Sequence, residues 1–150
     1  MTEAAAAGDV FAALLAAHHA ADYWVQTEDQ AQRKGLPGWE GQLACARHVA
    51  VMTGVKAAAL TALHVSGHRV RPGRAALALA ADAASHYWAD RRTPLRRLAE
   101  RAGLGSLLRL GVPRDGHDDN PCLGSGPAYL DQSFHICMLF VASLITVDSR

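Results

Sequence analysis

Apolar residues, most of them alanine or leucine, fill four long stretches of the chain, and clusters of Gly and Pro separate the stretches. Such clusters punctuate helices, because Pro removes a backbone donor and Gly favours the turn that ends one. The pattern predicts a first helix from about Asp9 to Lys34, ended by "GLPG", and a second from about Trp39 to Val65, ended by "SGHRVRPG". A third runs from about Arg74 to Arg91. Thr93 then caps, and Pro94 opens, a short further helix, "PLRRLAERAG", since Pro fits the first helical turn. The stretch "LGVPRDGHDDNPCLGSGP" has the turn-residue density of an irregular loop. Pro127 opens a fourth long helix that reaches about Val147. Short early connections make neighbouring helices antiparallel, so the expected fold is all-α: an antiparallel four-helix bundle with a short extra helix and an irregular insert between helices three and four.

Composition agrees with this pattern. Half of the 150 residues are hydrophobic but only 6% are aromatic, and alanine-rich helices are thin enough to pack closely. The length suits one domain spanning residues 1–150. A net charge of +1 does not mark a nucleic-acid binder. Charge is uneven, however: seven of the thirteen arginines fall between Arg91 and Arg114, against the single acid Glu100. Three cysteines without C-x-x-C spacing indicate neither a disulfide framework nor a zinc knuckle, which points to a reducing cytoplasm. The opening stretch carries Glu3 and Asp9 and lacks a basic start, unlike a signal peptide. The longest apolar run, "ICMLFVASLITV", has 12 residues, whereas a membrane-spanning helix needs roughly 20. A soluble protein with no membrane span is expected.

Against this apolar background the histidines and aspartates stand out. Helix one carries His18 and Asp22, helix three carries Asp82, His86 and Asp90, and helix four carries Asp131 and His135, each at four-residue steps that stack side chains on one helical face. Helix two offers His48 within "LACARHVAVM". In an up-down bundle His48, His86, Asp90, Asp131 and His135 fall near one end. His18 and Asp22 fit less well, lying roughly 18 to 24 Å before the expected end of helix one. Convergent imidazoles and carboxylates are the donors of a divalent transition-metal site, suited to Zn, Mn or Fe, and seven groups exceed what one tetrahedral ion uses. One or two ions are therefore expected. His19, His64 and His68 read as ordinary core or surface histidines, and Asp82 as a solvated residue near the start of its helix.

The stretch "HHAADYWVQT", Lys34, His48, "HYWAD" and "LDQSFH" together resemble an uncharacterised bacterial domain family that opens with H-x-x-x-D-[FY]-x-x-Q and closes with D-Q-x-x-H. Many members of that family look membrane-embedded, and this chain departs from them in having no long uninterrupted apolar run. More distantly, the helical His/Asp set is similar in style to metal-dependent hydrolases of the phospholipase C and P1 nuclease type. The resemblance implies a metal site and leaves the reaction open.

Other motifs carry less. The dipeptide in "GHDDN" belongs to a loop rather than to the helix that HD-type phosphohydrolases use, and the four glutamates lack the E-x-x-H spacing of a ferritin-like diiron site. "GSGP" is no P-loop. Hydrolysis is the most economical chemistry for a His/Asp metal site without an organic cofactor. Arg91 and Arg92, beside Asp90, are candidates to hold a phosphoester or other anionic substrate, and Gln26 and Lys34 are candidates to orient it. The alternative is a metal-stabilised, non-enzymatic regulatory protein whose 91–114 segment contacts nucleic acid or a protein partner.

Overall fold

The computed structural model describes residues 3, 4, 6–112 and 124–147. Its helices are α1 (Ala7–Ala20), α2 (Glu28–Arg33), α3 (Gly38–Val65), α4 (Pro72–Asp90), α5 (Thr93–Arg101), α6 (Gly105–Arg109) and α7 (Gly126–Thr146). A two-residue β1 (Glu3–Ala4) pairs in parallel with β2 (His68–Arg69). The fold is all-α. In its long helices α1 packs on α3 and α7, and α4 packs on the same two, which closes a four-membered ring.

Alanine is the reason the ring is tight. Ala17, Ala44, Ala78, Ala89 and Ala142 are all buried, and so small a side chain lets backbones approach. One half of the ring holds an apolar core of Val10, Leu14, Leu60, Val70, Ala78, Leu139 and Ala142. Going the other way along α1, α3, α4 and α7, buried residues become polar: His18, His48, His86 and His135 lie at the opposite end. That order requires successive long helices to alternate in direction.

Helix one departs from expectation. It stops at Ala20, continues as a π-helical turn over Ala21–Val25, and restarts as α2. The π turn is closed by the Gln26 amide donating to the Ala21 carbonyl at 2.8 Å. Thr27 then caps α2 reciprocally with Gln30. The signal T-x-x-Q was present in the sequence and marks a helix start, so the continuous helix to Lys34 was an over-reading of the apolar run. The break also explains why the depth of helix one had fitted poorly. With the long helix ending here, His18 and Asp22 sit in its last turns, at the same end as the other groups.

Helices α3, α4 and α7 run close to their expected bounds, and the short helix after Thr93 is α5. A further short helix, α6, precedes the insert and packs on α7. Its approach depends on Gly126, where an added Cβ would lie 1.7 Å from the Leu107 carbonyl oxygen. Most of the insert, including "GHDDN", Arg114 and Cys122, lies outside the described residues.

Gly38–Val65 and Gly126–Thr146 are long and apolar enough to cross a membrane, by length and composition only. Counting uninterrupted apolar residues missed this, because an isolated Lys, Thr or Ser breaks a run without much lowering the average over 18 positions.

Candidate metal centre

Six side chains converge where the four long helices meet. His18, at the end of α1, places Nε2 3.3 Å from Asp22 Oδ2 on the π turn. The other Asp22 oxygen lies 3.3 Å from His48 Nε2 on α3. His48 Nε2 is in turn 3.2 Å from Asp90 Oδ2 and 3.2 Å from His86 Nε2, both on α4. His86 Nε2 lies 3.3 Å from the same Asp90 oxygen. His135, from α7, approaches the other Asp90 oxygen and Asp131 Oδ1, each at 3.6 Å. The His86 and His135 rings stack with centroids 4.0 Å apart.

The expected convergence is therefore present, with all four histidines and Asp90 buried. Asp131 is set further out, its side chain 31% exposed, and meets the cluster only through His135. Two overlapping groups, Asp22/His48/His86 and His86/Asp90/His135, have donor atoms close enough to hold a metal ion.

The arrangement is a poor hydrogen-bond network. His18 Nε2, Asp22 Oδ1, Asp90 Oδ2 and His135 Nε2 are buried among polar atoms yet make no aligned hydrogen bond. Leaving such atoms unsatisfied costs about 1–3 kcal/mol each. Donors bound at about 2.0–2.1 Å around a tetrahedral ion are spaced about 3.3 Å apart, and the contacts among His18, Asp22, His48, His86 and Asp90 lie at 3.2–3.3 Å, with those of His135 longer at 3.6 Å. Buried acceptors this close to one another are better satisfied by a cation than by each other.

The electrostatics have the same origin. Burial pushes the His18 ring down to about 3, against the pull of Asp22. Burial likewise pushes His86 down despite Asp90. For His135 burial also opposes the charge, but the carboxylates of Asp131 and Asp90 prevail and raise it to about 9. His48 is raised as well, since Asp22 and Asp90 outweigh its burial. Burial disfavours ionisation of Asp22 and Asp90, yet the surrounding imidazoles and Lys34 hold both carboxyls well below the usual carboxylate range.

Lys34 and Gln26 join the cluster directly. Lys34 Nζ lies 3.1 Å from Asp90 Oδ2 and donates to Gln26 Oε1 at 2.9 Å. Arg91 plays a different part from its neighbour. Its guanidinium donates to the carbonyls of Lys34, at 2.7 Å, and of Leu36, so its donors hold the α2–α3 loop that carries Lys34. Arg92 has a left-handed backbone (φ 58°) and passes over Gly35 to donate to the Ala31 carbonyl at 3.1 Å. From there it lines two adjoining cavities.

The larger cavity, a cleft of about 1150 Å³, is lined by Asp90, Asp131 and Lys34 together with Arg92, Arg96, Arg109 and Glu100. The smaller, about 670 Å³, reaches Asp22 and Gln26 and shares Lys34, Arg92 and Asp131 with the first. The polar cluster is thus buried but opens onto a cleft lined by four cations, Lys34, Arg92, Arg96 and Arg109, and three acids, Asp90, Glu100 and Asp131.

One buried pair was not legible as such. Lys56 and Asp82 meet at 2.6 Å between α3 and α4, both almost fully buried. Asp82 is therefore not the solvated residue its position suggested. Burial lowers the Lys56 ammonium despite Asp82. The pair lies two turns from His48 and one from His86 along their helices, between the apolar core and the histidines. A reading of four-residue steps that included Lys56 with His48 and Met52 would have found it. His64 and His68 lie away from the cluster, His64 accepting from the Val70 amide and His68 facing Asp9. His19 stacks on Tyr23.

Compared with known proteins, the chain matches no family model, no curated protein and no solved structure.

Proposed function

We propose that the protein is a metal-dependent hydrolase acting on a phosphoester or other anionic substrate. The observation that carries the reading is the union of two features: buried, unsatisfied His and Asp atoms at metal-ligand spacing, and a cleft above them walled by arginines. His18, Asp22, His48, His86, Asp90 and His135 are the ligand set, with Asp131 at its edge. The nitrogen and oxygen donors suit Zn, Mn or Fe. His86 belongs to both donor groups and His18 to neither, and one imidazole nitrogen serves one ion, so the proposed set would hold one ion, or two that divide the remaining ligands.

An ion held there supplies Lewis-acid polarisation of a phosphoryl oxygen and acidifies water. Asp131, half-exposed in the cleft wall, is positioned to accept the proton of an attacking water. The water oxygen forms a bond to phosphorus, the ester P–O bond breaks, and the proton departs with the alcohol. Lys34 and Arg92, on the wall common to both cavities, face the substrate's anionic oxygens. The motifs H-x-x-x-D-[FY]-x-x-Q and D-Q-x-x-H support this reading, since their His and Asp residues are the ones gathered here.

A panel of phosphomonoesters, phosphodiesters and nucleotides with Zn-, Mn- or Fe-loaded protein tests the proposal. Turnover that His86→Ala abolishes and His64→Ala preserves is the expected result. Metal-loaded protein inert toward the whole panel, but binding nucleic acid with strong salt dependence, would replace it with the regulatory reading.

A further inference from the structure

We infer that the larger cleft takes an amphiphilic phosphate, a phosphoryl group esterified to an apolar chain. This deepens the hydrolase reading, and rests on it, by naming a substrate class for the same site. Three properties of the cleft bear on the choice. Its positive charge is available: Arg109 makes no ion pair among the described residues, and Arg96 is tied only to Glu100, an exposed pair at 2.9 Å of a kind that holds weakly. Between the arginines its walls are aliphatic, built from Leu95, Leu108, Val112 and Leu130. At about 1150 Å³ it is far larger than a phosphate ion and lies just above the range of about 300–1,000 Å³ usual for small-molecule sites.

The lining also discriminates between kinds of organic phosphate. No aromatic side chain among the described residues lines the cleft, so a nucleobase would lack the stacking partner that usually holds one. An alkyl chain needs only aliphatic walls. Leu104 and Leu110, next in sequence to the lining residues Gly105 and Arg109, stay exposed, which gives a chain longer than the cleft an apolar surface to follow. The phosphoryl end is fixed by Arg92, Arg96 and Arg109, and its reacting face is turned toward Asp90 and Asp131.

The test is calorimetric titration of methyl, butyl and octyl phosphate, all below micelle formation, into metal-free and Zn-loaded protein. The walls do not depend on the ion, so affinity should rise at least tenfold from butyl to octyl in both forms; a fully buried methylene alone contributes about fourfold. The variant Arg96→Gln/Arg109→Gln, at exposed positions that leave the fold intact, should weaken every ligand by a similar factor. Leu108→Ala should flatten the chain-length dependence. Equal affinity for butyl and octyl phosphate would overturn the inference, as would tighter binding of adenosine monophosphate than of octyl phosphate. Metal content measured on the same samples separates the two readings: protein that holds no metal sinks the hydrolase, whereas chain-length dependence in metal-free protein still supports the amphiphile site. Sedimentation with phosphatidate vesicles that is lost in the arginine variant assigns the ligand to a bilayer, and binding of monomers alone assigns it to a free amphiphile.

Discussion

At the scale of the residue, the governing fact is that six polar groups are gathered at one largely buried place with few aligned hydrogen bonds among them. In the metal-free protein His135 is held charged up to about pH 9 and His48 is also raised, so both must lose protons before they can bind an ion. Metal affinity should therefore increase as pH rises from 6 toward 9, and loading at pH 7 in weak buffer should release protons measurably; affinity that does not vary with pH would mean these imidazoles are not ligands. The metal-free fold carries an acid-side dependence of its own. Since His18 titrates near 3 when folded and near 6.5 in an unfolded chain, the unfolded state binds more protons between those values. Stability from its burial is present above about 6.5 and lost as pH falls toward 3. Chelated protein should show that loss in urea titrations across the window. The buried Lys56–Asp82 pair makes a separate claim: Lys56→Met, which strands a carboxylate, should destabilise by about 3–5 kcal/mol, and adding Asp82→Leu should restore much of it. Four-residue His/Asp spacing made most of the cluster legible, because helical geometry turns that spacing into contact. Lys34 was legible only as a nearby candidate, since its approach to Asp90 depends on a loop that Arg91 holds by backbone carbonyls, a contact no local pattern encodes.

At the scale of the element, the decisive departures are the π turn and the two short helices α2 and α6. An apolar run predicts where a helix can form but not where it changes pitch, although Asp22, Tyr23, Trp24 and Val25 are weaker helix formers than the alanines and leucines before them. Tertiary demand chose the break: it brings Asp22 to both His18 and His48. Glycines give a direct test of element packing. Gly126→Ala must push α6 off α7, because the new Cβ would collide with backbone at Leu107, and should lower stability by about 1–3 kcal/mol. Gly54, exposed in the middle of α3 with nothing within 4 Å of an added Cβ, is the reverse case. There Gly→Ala should stabilise by about 0.5–1 kcal/mol, through helix propensity alone. Thermal melts of the two variants should move in opposite directions. A stabilising Gly126→Ala would mean that the α6–α7 contact, and with it the shape of the cleft, is wrong.

At the scale of the whole molecule, the fold separates its chemistry along one axis: an apolar core in one half of the ring, the Lys56–Asp82 pair in the middle, and the His/Asp cluster beside the arginine-lined cleft in the other. The antiparallel ring was legible because Gly and Pro divide the chain so sharply. The cleft was not, since Arg92 precedes α5 while Arg96 and Arg109 lie on α5 and α6, two short helices whose mutual angle no periodicity fixes. Because four helices gather around unsatisfied donors, an ion bound there would be a structural element, so chelation should lower the melting temperature in the manner of losing a ligand that binds only the folded state. The most direct measurement is zinc-edge X-ray absorption on reconstituted, dialysed protein. A retained ion with nitrogen and oxygen neighbours at about 2.0–2.1 Å and outer scattering from several imidazoles, lost in Asp90→Ala, is the predicted result. An ion that washes away, or one bound through sulfur at about 2.3 Å, would contradict it.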